Sequence, residues 1–312
     1  MNITTNLSGK VTILMSVYNP CLTYLKKQLE SLNNQDYNNI ELLIWDDDPK
    51  NNIKESVIKS YITNFPYKII RAKKNLGYVK AFEELTKLAN SEFVAYCDQD
   101  DIWENNKLSI CISELIKQNA VLSTCDRTII DKDDNIIISS IRHSSNTPEI
   151  TWNSGDDITK YAIFSCYTTG MTIVMRTSTA KACLPFPSES AHDKWIGACA
   201  SAMGKVLFID IPLVKYRRHK NNVSGILSDI NSKNEYYDKR VAPIFKLTQV
   251  FTQKFPNLKD NNEILKFADA RYNRKVLTMF KYRYLSPLVT KFEILLKFTP
   301  NSLFKLFKKC FM

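Results

Sequence analysis

The chain has 312 residues, of which 44% are hydrophobic and 24% are charged, so it can form one large domain or a domain with an appendage. This composition excludes disordered, collagen-like and low-complexity proteins. Only 7 residues are glycine, and none have the spacing of the glycine-rich motifs that bind dinucleotides or nucleoside triphosphates. A Rossmann dehydrogenase or a P-loop NTPase would therefore lack its usual signature. The formal net charge is +11.

The first hundred residues alternate short apolar runs with helical patterns. The apolar runs, each of strand length, lie at 11–17, 40–45, 67–72 and 92–97. Helical periodicity predicts helices over roughly 22–34, 52–64 and 77–90. This βαβαβαβ order predicts an α/β fold, with a mostly parallel sheet covered by helices, because the strands are too uniformly apolar to face water.

The pattern changes after residue 120. An apolar run at 121–130, a DKDDN turn and a second run at 136–141 predict a hairpin added to the sheet. Two further apolar runs, at 169–176 and 206–216, flank a predicted helix that begins near Ala191. After Ser224 the sequence is helical to its end, with interruptions expected at Pro287 and Pro300. We therefore predict two regions, an α/β domain over 1–225 and a helical extension over 226–312.

Polar and acidic residues follow three of the predicted strands, where open α/β sheets bind their ligands. Asp98 and Asp100 are two residues apart after the fourth strand, so their side chains can point to the same side. Two converging carboxylates repel each other unless a cation lies between them, and Mg²⁺ or Mn²⁺ shared with substrate phosphates meets that need. Asp101 has capping-box spacing with Glu104, and we expect it to begin the next helix.

Charge and cysteine usage bear on the location of the protein. None of the 8 cysteines forms a C-x-x-C pair, and we find neither a signal peptide nor an apolar run long enough to span a membrane, so we expect a cytoplasmic protein. Residues 239–312 hold 16 Lys and Arg against 4 Asp and Glu. At 291–312, Phe and Leu alternate with Lys, which fits either peripheral contact with an anionic membrane or a helix packed on its own domain. No nucleic-acid recognition motif is present, and nucleic acid is not an expected partner.

Six stretches, in order along about 215 residues, resemble the glycosyltransferase family 2 enzymes of GT-A type. Within that family the likeness is to bacterial rhamnosyltransferase-like enzymes of surface polysaccharide synthesis. The matching stretches are SVYNP at 16–20, LLIWDDDP at 42–49, NLG at 75–77, YCDQDDIW at 96–103, HDKW at 192–195 and YRRHKNNVSG at 216–225. The resemblance implies a Rossmann-like GT-A domain and leaves only the region after about 226 uncovered.

The resemblance also implies roles for residues that bind the nucleotide sugar. Tyr18 and Asn19 would line the nucleotide pocket, and Asp46 would accept a hydrogen bond from the base. Further contacts with the nucleotide sugar would come from Asn75, Gly77, Lys80, Asp98 and Arg217. Asp48 and Pro49 stand where the family usually has Gly-Ser, so the local turn is expected to differ.

The remaining implied roles concern the reaction itself. Asp193 would be the catalytic base, although Ser190 three residues earlier also gives it the spacing of a helix-capping residue. His192 and Trp195 would contact the acceptor. The metal, Mn²⁺ or Mg²⁺, would be held by Asp98, Asp100 and His219.

The expected function is that of an inverting, metal-dependent glycosyltransferase. It would move a sugar from dTDP-rhamnose, or from a UDP-hexose or UDP-N-acetylhexosamine, to a hydroxyl of a glycan or lipid-linked glycan at the inner face of the cell membrane. One alternative is a nucleotidyltransferase, which would be expected to have a glycine-rich basic loop where this chain has SVYNPCLTYL. The other is a non-catalytic protein that binds membrane surfaces through its basic tail.

Overall fold

The computed structural model describes residues 9–145, 152–219, 227 and 229–309. Within those ranges nine strands form one sheet. In chain order they are β1 (Val11–Val17), β2 (Ile40–Asp46), β3 (Tyr67–Arg71), β4 (Phe93–Cys97), β5 (Ile102–Trp103), β6 (Leu122–Ile130), β7 (Ile136–Ile138), β8 (Val174–Arg176) and β9 (Val206–Arg217). Their order across the sheet is β3-β2-β1-β4-β8-β6-β9-β5, with β7 paired to β6.

The first four strands form the parallel half of the sheet. β1 pairs in parallel with β2 and with β4, and β2 pairs in parallel with β3. Val17 lies opposite Asp46, and Met15 lies opposite Cys97, so these strands end at the same edge of the sheet. The other half is mixed: β8 is antiparallel to both β4 and β6, β6 is parallel to β9, and β5 is antiparallel to β9. The predicted α/β fold and the β6–β7 hairpin are confirmed.

Helices cover both faces of the sheet. In chain order the α-helices are α1 (Leu22–Asn33), α2 (Glu55–Tyr61), α3 (Tyr78–Leu88), α4 (Lys107–Lys117), α5 (Thr159–Ala162), α6 (Thr177–Ala182), α7 (His192–Met203), α8 (Lys233–Tyr236), α9 (Ala242–Lys254), α10 (Asn261–Tyr272), α11 (Val276–Lys281), α12 (Pro287–Phe298) and α13 (Phe304–Lys309). Ile13 of β1 packs in a core cluster with residues of α1, α2 and α4, whereas Leu14 packs with residues of α3 and α7. Neighbouring strand residues therefore serve opposite faces, which gives three layers with the sheet in the middle.

The helical C-terminal region packs partly on this α/β core. Leu247 and Phe251 of α9 and Phe267 of α10 are buried in the same cluster as residues of α7. A smaller cluster joins the start of the region to α12 and α13, and it includes Ile230, Tyr236, Phe292, Leu296 and Phe304. The boundary that we predict at 225/226 falls next to residues outside the described ranges and stays a prediction. In the part of the chain that the structure describes, no helix combines the length and apolar character that a membrane span requires.

Two local predictions are wrong. Asp101 does not begin a helix: residues 102 and 103 form β5, and α4 begins only at Lys107. Pairing of Ile102 and Trp103 with β9 outweighs the capping pattern at this point. The apolar run at 169–176 forms a strand only over its last three residues, because Gly170–Thr172 is a 3₁₀-helix. In the C-terminal region, Pro287 is the first residue of α12 and Pro300 follows it, as expected.

Candidate functional site

The first component of the site is the segment that leaves β1. The side chain of Gln99, after β4, accepts a hydrogen bond from the Tyr18 N–H (2.9 Å) and donates one to the Tyr18 carbonyl (3.1 Å). This pair of bonds joins the ends of β1 and β4 beyond the last ladder contact. Asn19 has a φ of +41°, a conformation that Asn adopts more readily than most residues, and it leads the chain away from the edge. The Tyr18 side chain remains 54% exposed beside the strand ends.

Asp46 ends β2 and is almost fully buried, with 1% of its surface exposed. One carboxylate oxygen accepts from the Ile53 N–H (2.9 Å) and from the Arg71 guanidinium (3.1 Å), and the other accepts from the Asp48 N–H (3.3 Å). These bonds fix the loop between β2 and α2. Asp46 therefore has a structural role where it lies, and its predicted contact with a base stays a prediction.

Asp47 holds the N-L-G turn that precedes α3. Its carboxylate accepts hydrogen bonds from the Leu76 N–H (2.9 Å) and the Gly77 N–H (2.8 Å), while Asn75 donates to its backbone carbonyl (3.2 Å). Gly77 has a φ of +77°, which explains why glycine occupies the turn. The N–H groups of Leu76 and Gly77 are therefore bound by Asp47, and the predicted roles of Asn75 and Gly77 at the nucleotide site stay predictions.

Carboxylates crowd together at the end of β4. Burial, followed by the negative charges of Asp100 and Asp193, raises the pKa of Asp98 to about 7. Burial and then the charges of Asp193 and Asp98 also raise the pKa of Tyr78, the first residue of α3. The structure thus brings Asp98, Asp100 and Asp193 into one electrostatic neighbourhood, as the sequence predicts. Burial is the larger cause of the raised pKa of Asp98, and the neighbouring negative charges add to it.

His219 and Arg217 reach the Asp98–Asp101 segment from the end of β9. The His219 Nε2 lies 2.7 Å from a carboxylate oxygen of Asp100, and its ring lies against Tyr24. Arg217 is fully buried, donates from Nε to the Asp100 carbonyl (2.9 Å), and pairs with Asp134 of the β6–β7 turn. Because its guanidinium is held inside the protein, Arg217 positions the segment that carries Asp100, which disagrees with its predicted contact with the nucleotide sugar.

Asp101 belongs to the same buried network. It is fully buried, and one of its carboxylate oxygens accepts from the Arg217 N–H (3.0 Å). Burial and then the charges of Asp100 and Asp98 raise the pKa of Asp101 well above its usual range. The bond to Arg217 explains the conformation of the residue that the sequence pattern assigned to a helix cap.

The residues after β4 fit a divalent cation that a phosphorylated ligand also binds. Among the described residues, no three His, Cys, Asp or Glu side chains are grouped closely enough to hold a metal ion by themselves. Mg²⁺ is commonly bound through one or two carboxylates, with substrate phosphates completing its coordination. Asp98 and Asp100, with His219 beside them, supply such a partial set, and the raised pKa of Asp98 marks a place where added positive charge would be favourable.

Asp193 lies in the first turn of α7 and faces the 168–170 segment. One carboxylate oxygen accepts from the Gly170 N–H (3.1 Å), and the Asp193 carbonyl accepts from the Thr168 hydroxyl (2.9 Å). The helix is preceded by Ala191 and has no side-chain cap, so the capping alternative that Ser190 suggested is wrong. These bonds hold the carboxylate in place without neutralising it, as a general base requires.

The two residues predicted to contact an acceptor are both buried, and the contact predicted for His192 stays a prediction. His192 is 5% exposed, and its ring stacks on Phe82 with centroids 4.2 Å apart. Among the described residues neither ring nitrogen has a hydrogen-bond partner, and burial lowers the pKa of His192 to about 4, which favours the neutral ring. Trp195 is 1% exposed and donates to the Cys183 carbonyl (2.7 Å). Trp195 is therefore a core residue, which disagrees with its predicted place in the acceptor floor.

Lys80 and three residues that sequence reasoning missed complete the site. Lys80 pairs with Glu83 (2.7 Å), and its predicted phosphate contact stays a prediction.

The missed residues are Gln99, Tyr78 and Lys107. Gln99 could have been suspected from its place between two acidic residues, whereas Tyr78 resembles any residue of an amphipathic helix. The buried ammonium of Lys107 lies 3.0 Å from the centroid of Trp103 and lowers the pKa of Asp98, against the larger effect of burial.

Comparison with known proteins agrees with this arrangement. Residues 12–181, more than half of the chain, match the family model "Glycosyl transferase family 2". Two Escherichia coli proteins are similar over most of their length. WfgD, a UDP-Glc:alpha-D-GlcNAc-diphosphoundecaprenol beta-1,3-glucosyltransferase, is 26% identical over 69% of this chain and 79% of its own. WfaP, which has the same described activity, is 27% identical over 69% of this chain and 80% of its own.

Among solved structures, S. aureus TarS in complex with UDP-GlcNAc has a similar fold. The TM-score is 0.59 at 17% sequence identity, over 86% of this chain and 75% of the TarS chain. TarS in complex with UDP gives a TM-score of 0.58. At this level of identity the likeness concerns the fold alone, and it confirms the GT-A architecture with a helical C-terminal region.

Proposed function

The chain belongs to glycosyltransferase family 2, and on that basis we propose that it transfers a hexose, with inversion, from a UDP-sugar to a hydroxyl group of a bacterial surface glycan. The observation that carries the proposal is the convergence of Asp98, Asp100 and Asp193 at the carboxyl edge of the parallel strands, where burial and then the neighbouring negative charges raise the pKa of Asp98. A diphosphate with its cation and an acceptor hydroxyl are the two ligands whose chemistry suits such a group.

The names of the relatives favour UDP-linked hexoses over dTDP-rhamnose. WfgD and WfaP are UDP-glucose enzymes, and the TarS crystals contain UDP-GlcNAc. We therefore place UDP-glucose first and UDP-N-acetylglucosamine second, ahead of the dTDP-rhamnose that the sequence resemblance suggests. For the acceptor we propose a lipid-linked glycan, because the two E. coli proteins act on a diphosphoundecaprenol-linked sugar.

In the proposed mechanism Asp193 accepts the proton of the attacking acceptor hydroxyl while the nucleoside diphosphate leaves from the opposite face of the sugar. Bonds from Gly170 and Thr168 hold Asp193 in position. Asp98 and Asp100 would hold Mn²⁺ or Mg²⁺, with His219 beside them, and the bound ion would offset the charge that develops on the diphosphate. Arg217 fixes the backbone of Asp100 from the protein side.

Gly170 is required for this geometry. A side chain at that position would place its Cβ 3.0 Å from His192 Nε2 and 3.9 Å from the Asp193 Cβ. A substituent there would therefore press on the His192 ring, next to Asp193 in the first turn of α7. The absence of a side chain lets the 168–170 segment approach closely enough for its N–H to reach the Asp193 carboxylate.

Donor binding and turnover test the proposal directly. Thermal unfolding is measured with UDP-glucose, UDP-N-acetylglucosamine and dTDP-rhamnose, each with and without Mn²⁺, and release of nucleoside diphosphate is followed in parallel. We expect a UDP-sugar to raise Tm only when Mn²⁺ is present, since a ligand that binds only the folded state stabilises it. A panel in which no donor changes Tm and none is hydrolysed would contradict the proposal. Stabilisation by dTDP-rhamnose alone would contradict the choice of donor.

We also propose that the C-terminal helices contact an anionic membrane surface. On α12 the exposed residues Leu288, Lys291, Leu295 and Phe298 follow helical spacing and share one face. The only acidic residue after Arg274 is Glu293, which is buried against Arg271, so this stretch offers cations without exposed carboxylates. Exposed apolar side chains among cations suit an interface with anionic headgroups.

Vesicle binding tests the membrane contact. A variant with Leu288→Gln and Phe298→Gln should partition less onto vesicles that contain phosphatidylglycerol, because it removes two apolar side chains that are 62% and 72% exposed. Val250→Gln, an exposed position on α9 outside this face, is the matched control. Equal partition of all three proteins, or partition that does not depend on anionic lipid, would refute this contact.

A further inference from the structure

The C-terminal region contains a surface cavity that shares no residue with the candidate site. Its volume is about 370 Å³, within the usual range for small-molecule sites of about 300–1,000 Å³. We call it the Tyr272 cavity, and its lining residues are Tyr237, Asp238, Ala242, Tyr272, Asn273 and Arg274. It lies where the π-helix Tyr237–Val241 meets the end of α10.

An aromatic ring forms one wall of the cavity. Tyr272 is 47% exposed, and its ring stacks on that of Phe245 with centroids 4.6 Å apart and planes inclined by 11°. Phe245 therefore supports Tyr272 from one side and holds the ring in a fixed orientation. A rigid, exposed tyrosine ring is a suitable surface for the C–H face of a pyranose, which is apolar while its hydroxyl groups point outward.

Polar groups of complementary types stand next to that ring. Asp238 offers a carboxylate that accepts hydrogen bonds, Asn273 an amide that both donates and accepts, and Arg274 a guanidinium that donates. The Arg274 guanidinium carbon lies 3.8 Å from the centroid of the Tyr237 ring, which orients the group. One aromatic surface with a few placed polar groups is the composition that binds a neutral, hydroxyl-rich ligand.

The walls of the cavity are held by a buried ion pair. Glu293 of α12 accepts two hydrogen bonds from Arg271 (2.9 and 2.7 Å) and one from the Tyr236 hydroxyl (2.9 Å). Arg271 and Tyr236 each immediately precede a residue that lines the cavity, so the network fixes both walls relative to each other. Buried contacts of this kind, outside a binding site, hold its residues in the geometry that binds the ligand.

The backbone of the cavity is unusual at two places. A π-helix of five residues forms one side, and such short segments are frequent at functional sites. On the other side Arg274 has a φ of +56°, in the left-handed region that non-glycine residues seldom adopt. This conformation ends α10, because the N–H groups of Lys275 and Arg274 donate to the Ala270 and Arg271 carbonyls in the pattern of a Schellman cap.

We propose that the Tyr272 cavity binds a saccharide unit of the acceptor glycan, away from the unit that receives the new sugar. Tyr272 would stack on the pyranose ring while Asp238, Asn273 and Arg274 bind its hydroxyl groups. The inference rests on the proposed transferase function for the identity of the glycan as acceptor. The site would add affinity for a longer acceptor without taking part in the chemistry.

Saccharide binding to the full chain tests this site without requiring turnover. Lactose, maltotriose and chitotriose are titrated into the wild-type protein and its variants, and binding is followed by saturation-transfer NMR. We expect at least one of the three to bind, and Tyr272→Ala to weaken that binding about tenfold or more. Asp238→Ala should also weaken it. Leu265→Ala, an exposed position elsewhere on α10, should leave it unchanged.

The outcomes separate this proposal from the transferase function. If none of the three saccharides binds the wild-type protein, or if binding survives both Tyr272→Ala and Asp238→Ala, the cavity is not a saccharide site. Donor-induced stabilisation by UDP-glucose and Mn²⁺ is measured on the same samples and should be the same in Tyr272→Ala as in the wild type. If UDP-glucose with Mn²⁺ does not raise the Tm of the wild-type protein, that result counts against the transferase function, whether or not a saccharide binds.

Discussion

The carboxylates after β2 and those after β4 are of the same residue type and lie at the same edge of the sheet, yet the protein treats them differently. Asp46 and Asp47 are buried and accept hydrogen bonds from backbone N–H groups, from Arg71 and from the turn before α3. Asp98 and Asp100 stand close to each other and to Asp193, and burial and this repulsion raise the pKa of Asp98. Hydrogen bonds within the protein already stabilise the charges of Asp46 and Asp47, whereas Asp98 and Asp100 leave negative charge that a ligand can neutralise.

This difference indicates which acidic residues at a strand end bind a ligand or take part in catalysis, and which ones stabilise the fold. A carboxylate with several protein donors contributes to stability, because its charge-assisted hydrogen bonds are already made in the folded state. A carboxylate held near others costs stability, and a protein keeps such an arrangement where function uses it. Substitutions at the two places should therefore act on different properties, and the predictions below start with the largest expected effect.

The largest effect is expected from Asp100→Ala. Because Asp100 lies beside both Asp98 and His219, its loss should lower metal-dependent donor turnover about 10³-fold or more, as expected when several kcal/mol of charge stabilisation are removed. Donor hydrolysis is measured at saturating Mn²⁺, with circular dichroism to confirm folding. Asp133→Ala, in the exposed β6–β7 turn, is the control and should retain full turnover. Retained turnover in Asp100→Ala would remove the metal assignment.

Asp193→Asn should lower glycosyl transfer by about 10²- to 10⁴-fold, the contribution expected of a general base. The amide keeps the shape of the side chain, and its oxygen can still accept from the Gly170 N–H. Donor binding, measured as the Tm shift with UDP-glucose and Mn²⁺, should therefore remain close to that of the wild type. If donor binding is lost together with transfer, Asp193 holds the fold of the site and is not the base.

Asparagine substitutions at Asp47 and Asp98 should change stability in opposite directions. Asp47→Asn weakens charge-assisted bonds to Leu76 and Gly77, at a cost of about 2 kcal/mol. The pKa of Asp98 is raised from 3.8 to about 7 on folding, so the free energy of unfolding falls as the pH rises through that window. Asp98→Asn should therefore stabilise the ligand-free protein at pH 8 by about 1 kcal/mol and have little effect at pH 4. Urea unfolding at both pH values measures the free energies, and the same sign for both substitutions at pH 8 would contradict the comparison.

The last prediction concerns His192, whose effect on stability appears only in acid. The unfolded chain binds a proton at this residue near pH 6.5, but burial lowers its pKa in the folded protein to about 4, so stability should fall as the pH drops through that interval. By pH 5 the loss should be about 2 kcal/mol. His192→Phe should remove this part of the pH dependence, whereas His143→Phe, at an exposed histidine, should not. Equal acid sensitivity in His192→Phe and the wild type would show that the buried ring is not responsible.

Most of the fold could be predicted from the sequence, because the βαβ half depends on local periodicity. Uniformly apolar runs gave β1 to β4, and helical spacing gave α1 to α3, with ends displaced by a few residues. Asp101 shows where such reasoning fails. Its spacing to Glu104 suits a helix cap, but pairing with β9, which comes more than a hundred residues later, decides the conformation of that segment.

The site could be predicted in part. The position of Asp98 and Asp100 after β4 could be predicted from the strand end, and the approach of His219 to Asp100 agrees with the resemblance. The predicted metal site of these three residues stays a prediction. The burial of Arg217 and Trp195 could not be predicted, because a guanidinium or an indole at a strand end or helix start looks the same whether it faces a ligand or the core. Gln99 and Tyr78 were missed because an amide and a phenol carry no motif of their own.

Arg217 links two surfaces that are remote in sequence. From inside the protein it reaches the Asp100 carbonyl on one side and Asp134 in the β6–β7 turn on the other, and Lys27 of α1 pairs with the same Asp134. The length of that turn is consequently constrained by the position of the acidic segment after β4. An inserted residue there would shift Asp134 relative to Arg217. Homologous enzymes with longer turns at this place would need another way to hold the acidic segment after β4.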